Sequence, residues 1–140
     1  MKTIKLILAG LFIFIAGCSA NGPAFSPTAN PDTNKAVVYV YRLSNFVGCG
    51  MVPGIYIDEV KHGSLKNNGY LVYFVEPGKR MIVVRNMGED LLTIYPDFIA
   101  GEEYYIRLNF SLELNVIKME LGLIPKEYAI REIIYTKKSE

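Results

Sequence analysis

The segment "YYIRLNFSLEL", Tyr104 to Leu114, constrains this chain more than any other. Tyr104, Ile106, Leu108, Phe110, Leu112 and Leu114 fall on one parity, and Tyr105, Arg107, Asn109, Ser111 and Glu113 on the other. Strict alternation over that length predicts a strand with one buried and one wet face. The parity then reverses: Ile117, Met119, Leu121 and Leu123 are apolar, with Lys118, Glu120 and Gly122 between them. A register slip of one residue would expose every core side chain. A turn or bulge near Asn115 is therefore required.

The rest of the folded region reads the same way. From Lys35 onward, runs rich in Val, Ile, Tyr and Phe are interrupted by Gly, Pro and Asn every eight to twelve residues, the spacing of short strands in a sandwich or barrel. "AVVYVYR" (Ala36–Arg42) is apolar on both parities and predicts a central strand. "GIYID" (Gly54–Asp58) and "LVYFV" (Leu71–Val75) are further strands. Glu76-Pro77-Gly78-Lys79 is a turn, because Pro presets φ and Gly accepts a positive φ after it. "RMIVVRN" (Arg80–Asn86) is expected to return as the hairpin partner of Leu71–Val75. After Pro125, Ala129, Ile130, Ile133 and Ile134 recur at helical spacing, with Glu127 and Arg131 as an i,i+4 pair. The expectation is a mainly β domain, residues 35–140: an antiparallel β-sandwich of seven or eight short strands with a short C-terminal helix.

Two segments precede that domain. Residues 1–17 begin with Lys2 and Lys5 and continue as an apolar run from Leu6 to Ala16. The run is shorter than the roughly 20 residues a membrane helix needs and reads as a secretory leader. Ile15-Ala16-Gly17-Cys18 resembles the lipobox of bacterial lipoproteins. That resemblance implies cleavage between Gly17 and Cys18, diacylglycerol on the Cys18 thiol and acylation of the freed amine. Ser19 follows, where aspartate would mark retention; by the same resemblance this favours the outer membrane, facing the periplasm or the cell surface. Ser19–Asn34 carries Pro23, Pro27 and Pro31 among small polar residues, with Phe25 the one large apolar side chain. It is expected to be a flexible tether reaching roughly 20–25 Å.

Charge narrows the partners. Without residues 1–17 the chain has 123 residues, and 15 basic residues less Lys2 and Lys5 leave 13 against 14 acidic ones. A balance near −1 with interspersed charges gives no reason to expect nucleic acid. The expected partners are the membrane, through Cys18, and an envelope protein or polymer.

"NFVGCGMVPG" (Asn45–Gly54) is the stretch with the most chemical character. Gly48, Gly50 and Gly54 are spaced one residue too long for a dinucleotide loop and lead into a strand, whereas phosphate capture uses a helix N-terminus. Cys49 and the single histidine, His62, are the only thiol–imidazole pair available to a nucleophilic mechanism. Asp58, Glu59 and His62 are a sparse ligand set for zinc. No cofactor, metal site or catalytic residue is assigned, and the domain is read as non-catalytic. Arg42, Asn45, Phe46 and Cys49 are the candidate interaction loop, and Cys49 also offers a disulfide to a second copy. A small apolar-ligand carrier with a cavity inside the sheets, and a Cys49-dependent thiol enzyme, are the alternatives.

Four stretches in order carry a family resemblance: "AVVYVYRLSNFVG", "IYIDEVKHGSL", "NNGYLVYFVEPGK" and "AGEEYYIRL". They resemble the small bacterial lipoproteins grouped as domain of unknown function 2846, over roughly Lys35 to Phe110. Asp58-Glu59 stands where Asp-Gly is usual in that family, so this turn is expected to be built differently. The middle portion is also similar to β modules of the PEGA and carboxypeptidase-regulatory kind. These resemblances imply a β-sandwich used for attachment or interaction, and name no substrate.

Overall fold

Strand β1 (Ala36–Tyr41) is apolar on both faces because it is covered on both. Ala36, Val38 and Val40 point into the core between two sheets, and Val37, Tyr39 and Tyr41 into a second cluster behind the first sheet. The computed structural model describes residues 18–30 and 32–139; residues 1–17, the expected leader with Gly17 of the expected cleavage site, lie outside the described residues. The further strands are β2 (Gly54–Ile57), β3 (Val60–Ser64), β4 (Gly69–Val75), β5 (Gly78–Lys79), β6 (Ile82–Asn86), β7 (Glu89–Ile94), β8 (Asp97–Phe98), β9 (Glu103–Glu113), β10 (Val116–Leu123) and β11 (Lys137–Lys138). Among the described residues one helix, α1 (Lys126–Ile133), precedes β11.

The strands form a five-stranded sheet in the order β10-β9-β1-β4-β11, a four-stranded sheet in the order β3-β2-β6-β7, and a small β5-β8 pair. The mainly β architecture with one short C-terminal helix is as expected. Two details of the expectation are corrected. β9 and β11 join their neighbours β1 and β4 in parallel, so the sheet is mixed. Arg80–Asn86 is not the hairpin partner of Leu71–Val75: β4 pairs β1, while β6 pairs β2 and β7 in the other sheet. The Pro77-Gly78 turn, with Gly78 at φ 97°, therefore crosses between sheets. Arg80 holds this crossing, donating to the carbonyls of Glu76 (3.1 Å) and Pro77 (2.9 Å) and to Asp58 Oδ2 (3.1 Å).

The reversal expected near Asn115 is a two-residue turn, Leu114-Asn115, with both residues at positive φ (48° and 63°). Asp58-Glu59 (47° and 68°) and Met87-Gly88 (51° and 84°) turn the β2–β3 and β6–β7 hairpins the same way. Such turns match the right-handed twist of paired strands, and Asn-Gly is their favoured sequence.

The face of β9 expected to be wet is not wet throughout. Tyr105 is buried beneath α1, stacked on Tyr39 with ring centroids 5.0 Å apart. The helix buries Ala129 and Ile133, while Ile130 and Ile134 stay partly exposed. Glu127–Arg131 is not among the ion pairs of the described residues. Instead Glu132 accepts from Tyr41 Oη (2.6 Å) and Arg107 (2.7 Å), which ties the helix to β1 and β9. Burial and then the Glu132 carboxylate push the Tyr41 hydroxyl well above its usual titration range.

The segment expected to be a free tether is docked, which corrects that expectation. Its backbone bonds to Asn67 and to the neighbouring residues 136–138 at the start of β4: Ala20 N–H to Asn67 O (2.8 Å), Gly22 N–H to Lys138 O (3.2 Å), Phe25 N–H to Thr136 O (3.1 Å) and Lys138 N–H to Pro23 O (2.8 Å). Phe25 sets its ring edge-on to Tyr39 (5.4 Å) and Tyr70 (5.2 Å), and Tyr39 Oη accepts from the Thr28 amide (2.9 Å). A Cβ on Gly22 would stand 2.5 Å from the Lys138 carbonyl, so only glycine lets the two chains come this close. The Pro-rich composition hides this because the ordering is carried by β11 and by one aromatic ring.

Candidate functional site

Arg42 follows the last residue of the central strand and builds the loop after it. It is 1 % exposed. Its guanidinium donates to Met51 O (2.8 Å) and Gly48 O (3.0 Å) and lies 4.2 Å from the centre of the Phe110 ring. Burial lowers its pKa from the usual guanidinium value. Arg42 was expected as part of an interaction surface; it is instead the internal post around which residues 43–53 wrap. Gly48, at φ 72°, lies against Phe110 so closely that a Cβ would overlap the ring. Gly48 therefore serves close packing on β9, while Gly50 faces open space.

Asn45 is the second organiser. Its side chain accepts from the Val47 amide (3.0 Å) and donates to Phe110 O (2.7 Å), and its own amide donates to Asn67 Oδ1 (3.1 Å). Phe46, between these fixed residues, is held outward at 91 % exposure. Cys49 is partly buried and is a free thiol.

The loop forms one wall of a cavity of about 500 Å³ lined by Cys18, Ser19, Ser44, Asn45, Phe46, Cys49 and Asn67. Cys18 reaches this wall because the docked segment begins there: its carbonyl accepts from the Asn67 amide (3.1 Å). The two cysteines, treated separately in the sequence, thus share one cavity at one end of the sandwich.

That end collects several other chain reversals. Tyr41 at the end of β1 lies opposite Tyr70 at the start of β4 and Arg107 in β9. Gly54, which opens β2, lies opposite Ser64 at the end of β3 and Arg85 near the end of β6. The Met87-Gly88 and Leu114-Asn115 turns therefore project from the same end as Cys18 and Phe46. Met87 is 96 % and Leu114 98 % exposed. Below Leu114, Leu112 and Ile117 pair across β9 and β10 and continue the core stripe past the point where the second sheet covers it. The sequence reading missed Met87 and Leu114; the available signal was a large apolar residue in each turn dipeptide.

His62 lies in strand β3, against the Tyr73 ring (5.1 Å), and lines a separate groove with Asp58, Val60 and Phe74. The structure does not bring it into the Cys49 cavity. Asp58 and Glu59 are engaged by arginines: Asp58 accepts from the Met81 amide (3.0 Å) and Arg80, and Glu59 from Arg85 (3.2 Å). The Met81 hydrogen bond, and then Arg80, hold the Asp58 carboxyl below the usual carboxylate range. Among the described residues no group of three His, Cys, Asp or Glu side chains is placed to hold a metal ion.

Comparison with known proteins agrees with the resemblance drawn from the sequence. No curated protein matches the chain. The sequence profile of a family described as proteins of unknown function, DUF2846, matches residues 32–123, from the end of the docked segment through β10. Over that span lie the buried arginine, its loop and nearly all of both sheets, and the chain belongs to the DUF2846 family.

Proposed function

We propose that this protein is a lipid-anchored cell-envelope module, attached through Cys18, whose β-sandwich acts in binding or assembly without catalysing a reaction. The observation that carries the reading is the placement of Ile15-Ala16-Gly17-Cys18 directly behind an apolar run with a basic start. In the step this implies, the Cys18 sulfur forms a thioether to the glycerol carbon of a phospholipid as that carbon's bond to the phosphate headgroup breaks. The thiol proton leaves with the headgroup, and hydrolysis of the Gly17–Cys18 bond then frees the amine for acylation. Each buried methylene contributes about 0.8 kcal/mol, so two or three chains make a lasting anchor where one does not. Ser19 after the cysteine favours the outer membrane.

Two features support a module, the first over an enzyme and the second over a carrier. Arg42 and Asn45 hold the loop by side-chain hydrogen bonds to Met51, Gly48, Phe110 and Val47, and His62, the one imidazole of the sequence, lies outside the cavity that the Cys49 thiol lines. The space between the sheets is filled by Val38, Val40, Ile55, Leu65, Ile82, Ile106 and their neighbours, and the 500 Å³ cavity lies at the end of the sandwich, so a carrier reading gains no support.

Growth of cells expressing the protein with an alkyne analogue of palmitate tests the anchor. The wild type is expected to incorporate the label and pellet with membranes, and Cys18→Ser to do neither. Equal labelling of Cys18→Ser would refute attachment at this residue.

A further inference from the structure

We infer that the Cys18 end of the sandwich lies on the bilayer itself, with Phe46, Met87 and Leu114 as three apolar tips that enter the lipid surface. The inference rests on the anchor reading and adds the orientation and contact residues of the domain.

Three observations carry it. The first is the absence of slack. A free tether would let the domain stand off the membrane in any orientation, but Cys18 is bound to Asn67 and Ala20 is bound to the same residue from the other side. Acyl chains on the Cys18 sulfur therefore emerge at the wall of the end cavity. The bilayer surface is then set at this end of the domain.

The second is the convergence of exposed apolar side chains there. Phe46, Met87 and Leu114 are each more than nine-tenths exposed and come from three different chain segments. Two hairpins and one loop project toward the side on which Cys18 sits. Strand rise is about 3.4 Å per residue, so the β9–β10 hairpin carries Leu114 roughly 14 Å past Phe110. The Leu112–Ile117 pair beneath it is partly uncovered and extends the apolar surface up the hairpin.

The third is that folding does not account for these residues. Met87 and Leu114 hold φ at 51° and 48°. This region disfavours side chains with a Cβ and suits Gly, Asn or Asp. A large apolar residue there adds backbone strain and buries nothing in the domain. A lipid surface supplies the missing burial. At the opposite end the exposed apolar residues Val60 (61 %), Tyr95 (59 %) and Ile99 (64 %) are each about two-thirds exposed or less, and ion pairs occur at both ends, Arg80–Asp58 there and Arg85–Asp90 and Lys118–Glu113 below the tips.

The test uses the full chain, purified with its acyl chains and placed in vesicles of phosphatidylethanolamine and phosphatidylglycerol. In a Cys49→Ser background, Phe46→Cys, Met87→Cys, Leu114→Cys, Val60→Cys and Ile99→Cys are each labelled with a polarity-sensitive dye. All five positions are exposed, so the label does not disturb the core. Labels at 46, 87 and 114 are expected to shift to shorter wavelength and to be quenched by nitroxide-bearing lipid, while those at 60 and 99 stay open to aqueous quencher. If the protein floats with the vesicles and all five labels are equally open to water, the orientation is overturned and the anchor stands. Failure to float overturns the anchor and the inference together. Tips that are shielded in intact envelopes yet unquenched in vesicles would assign them to a protein partner and overturn the lipid contact.

Discussion

Replacing Phe25 by Ala tests whether the docked segment holds as the structure requires. Full burial of a phenylalanine side chain contributes about 1.5–3 kcal/mol. Phe25 is partly buried, so roughly half of that applies. Its two edge-on contacts, with Tyr39 and Tyr70, add about 0.5–1.5 kcal/mol beyond area. The total is roughly 2 kcal/mol, about thirtyfold in the equilibrium between docked and released segment. The core between the sheets does not touch Phe25, so release should be local. Hydrogen exchange reads it directly. The amides of Gly22, Phe25 and Lys138, each bonded across the segment–β11 contact, should exchange about thirtyfold faster in Phe25→Ala. The amides of β1 and β9 should be unchanged, and Phe46→Ala should leave the segment as protected as in the wild type. Wild-type amides that exchange as a free chain, or a change below about threefold in the variant, would refute the docking and with it the fixed position of Cys18.

Other substitutions probe the fold. Tyr73 Oη is buried without a hydrogen-bond partner among the described residues, and an unmet buried hydroxyl costs about 1–3 kcal/mol. Tyr73→Phe should therefore raise stability by about 1 kcal/mol, read as a higher urea midpoint at unchanged slope; a loss of stability would reveal a partner for the hydroxyl. Glu59 holds φ at 68° in the β2–β3 turn. Glu59→Gly should stabilise by about 0.5 kcal/mol after glycine's own entropy cost, and Glu59→Ala should not; equal effects would show that backbone strain is absent. The fold keeps Asp58 ionised through the Met81 amide and Arg80, so its contribution is complete above the ordinary carboxylate value of about 4 and is lost as pH falls through the lowered value in the folded state. Acid unfolding curves of wild type and Asp58→Asn should begin to converge near pH 4 and meet below the lowered folded-state value, and parallel curves would sink the assignment.

What could be read from the sequence was local. The β9 pattern is legible because Ile106, Leu108 and Phe110 face a core while Arg107 and Asn109 reach water, and the Leu114-Asn115 reversal follows from parity alone. The helix after Pro125 is legible from its spacing, but not that Tyr105 lies beneath it, because a buried tyrosine and a wet one look alike in a strand. The partner of β6 was misjudged because the Pro77-Gly78 turn allows either a hairpin or a change of sheet, and only the fit of Ile82 and Val84 into the shared core decides. Prolines hid the docking of residues 19–30, which depends on β11 more than a hundred residues away. At the site, Phe46 and Cys49 were visible as loop residues, but Arg42 was misplaced. A charged residue reads as surface until two carbonyls and an aromatic ring are found around it. The meeting of Cys18 with Cys49 depends on the register of the docked segment and has no local signature.

The central claim is the covalent anchor, and mass spectrometry of the protein extracted from membranes tests it most directly. Trypsin cannot cut between Cys18 and Lys35, so the mature N-terminus is a single peptide, Cys18–Lys35. The account predicts that this peptide begins at Cys18 and carries a thioether-linked diacylglycerol. An unmodified Cys18 in membrane-bound protein, or a chain that still begins before Cys18, would contradict it.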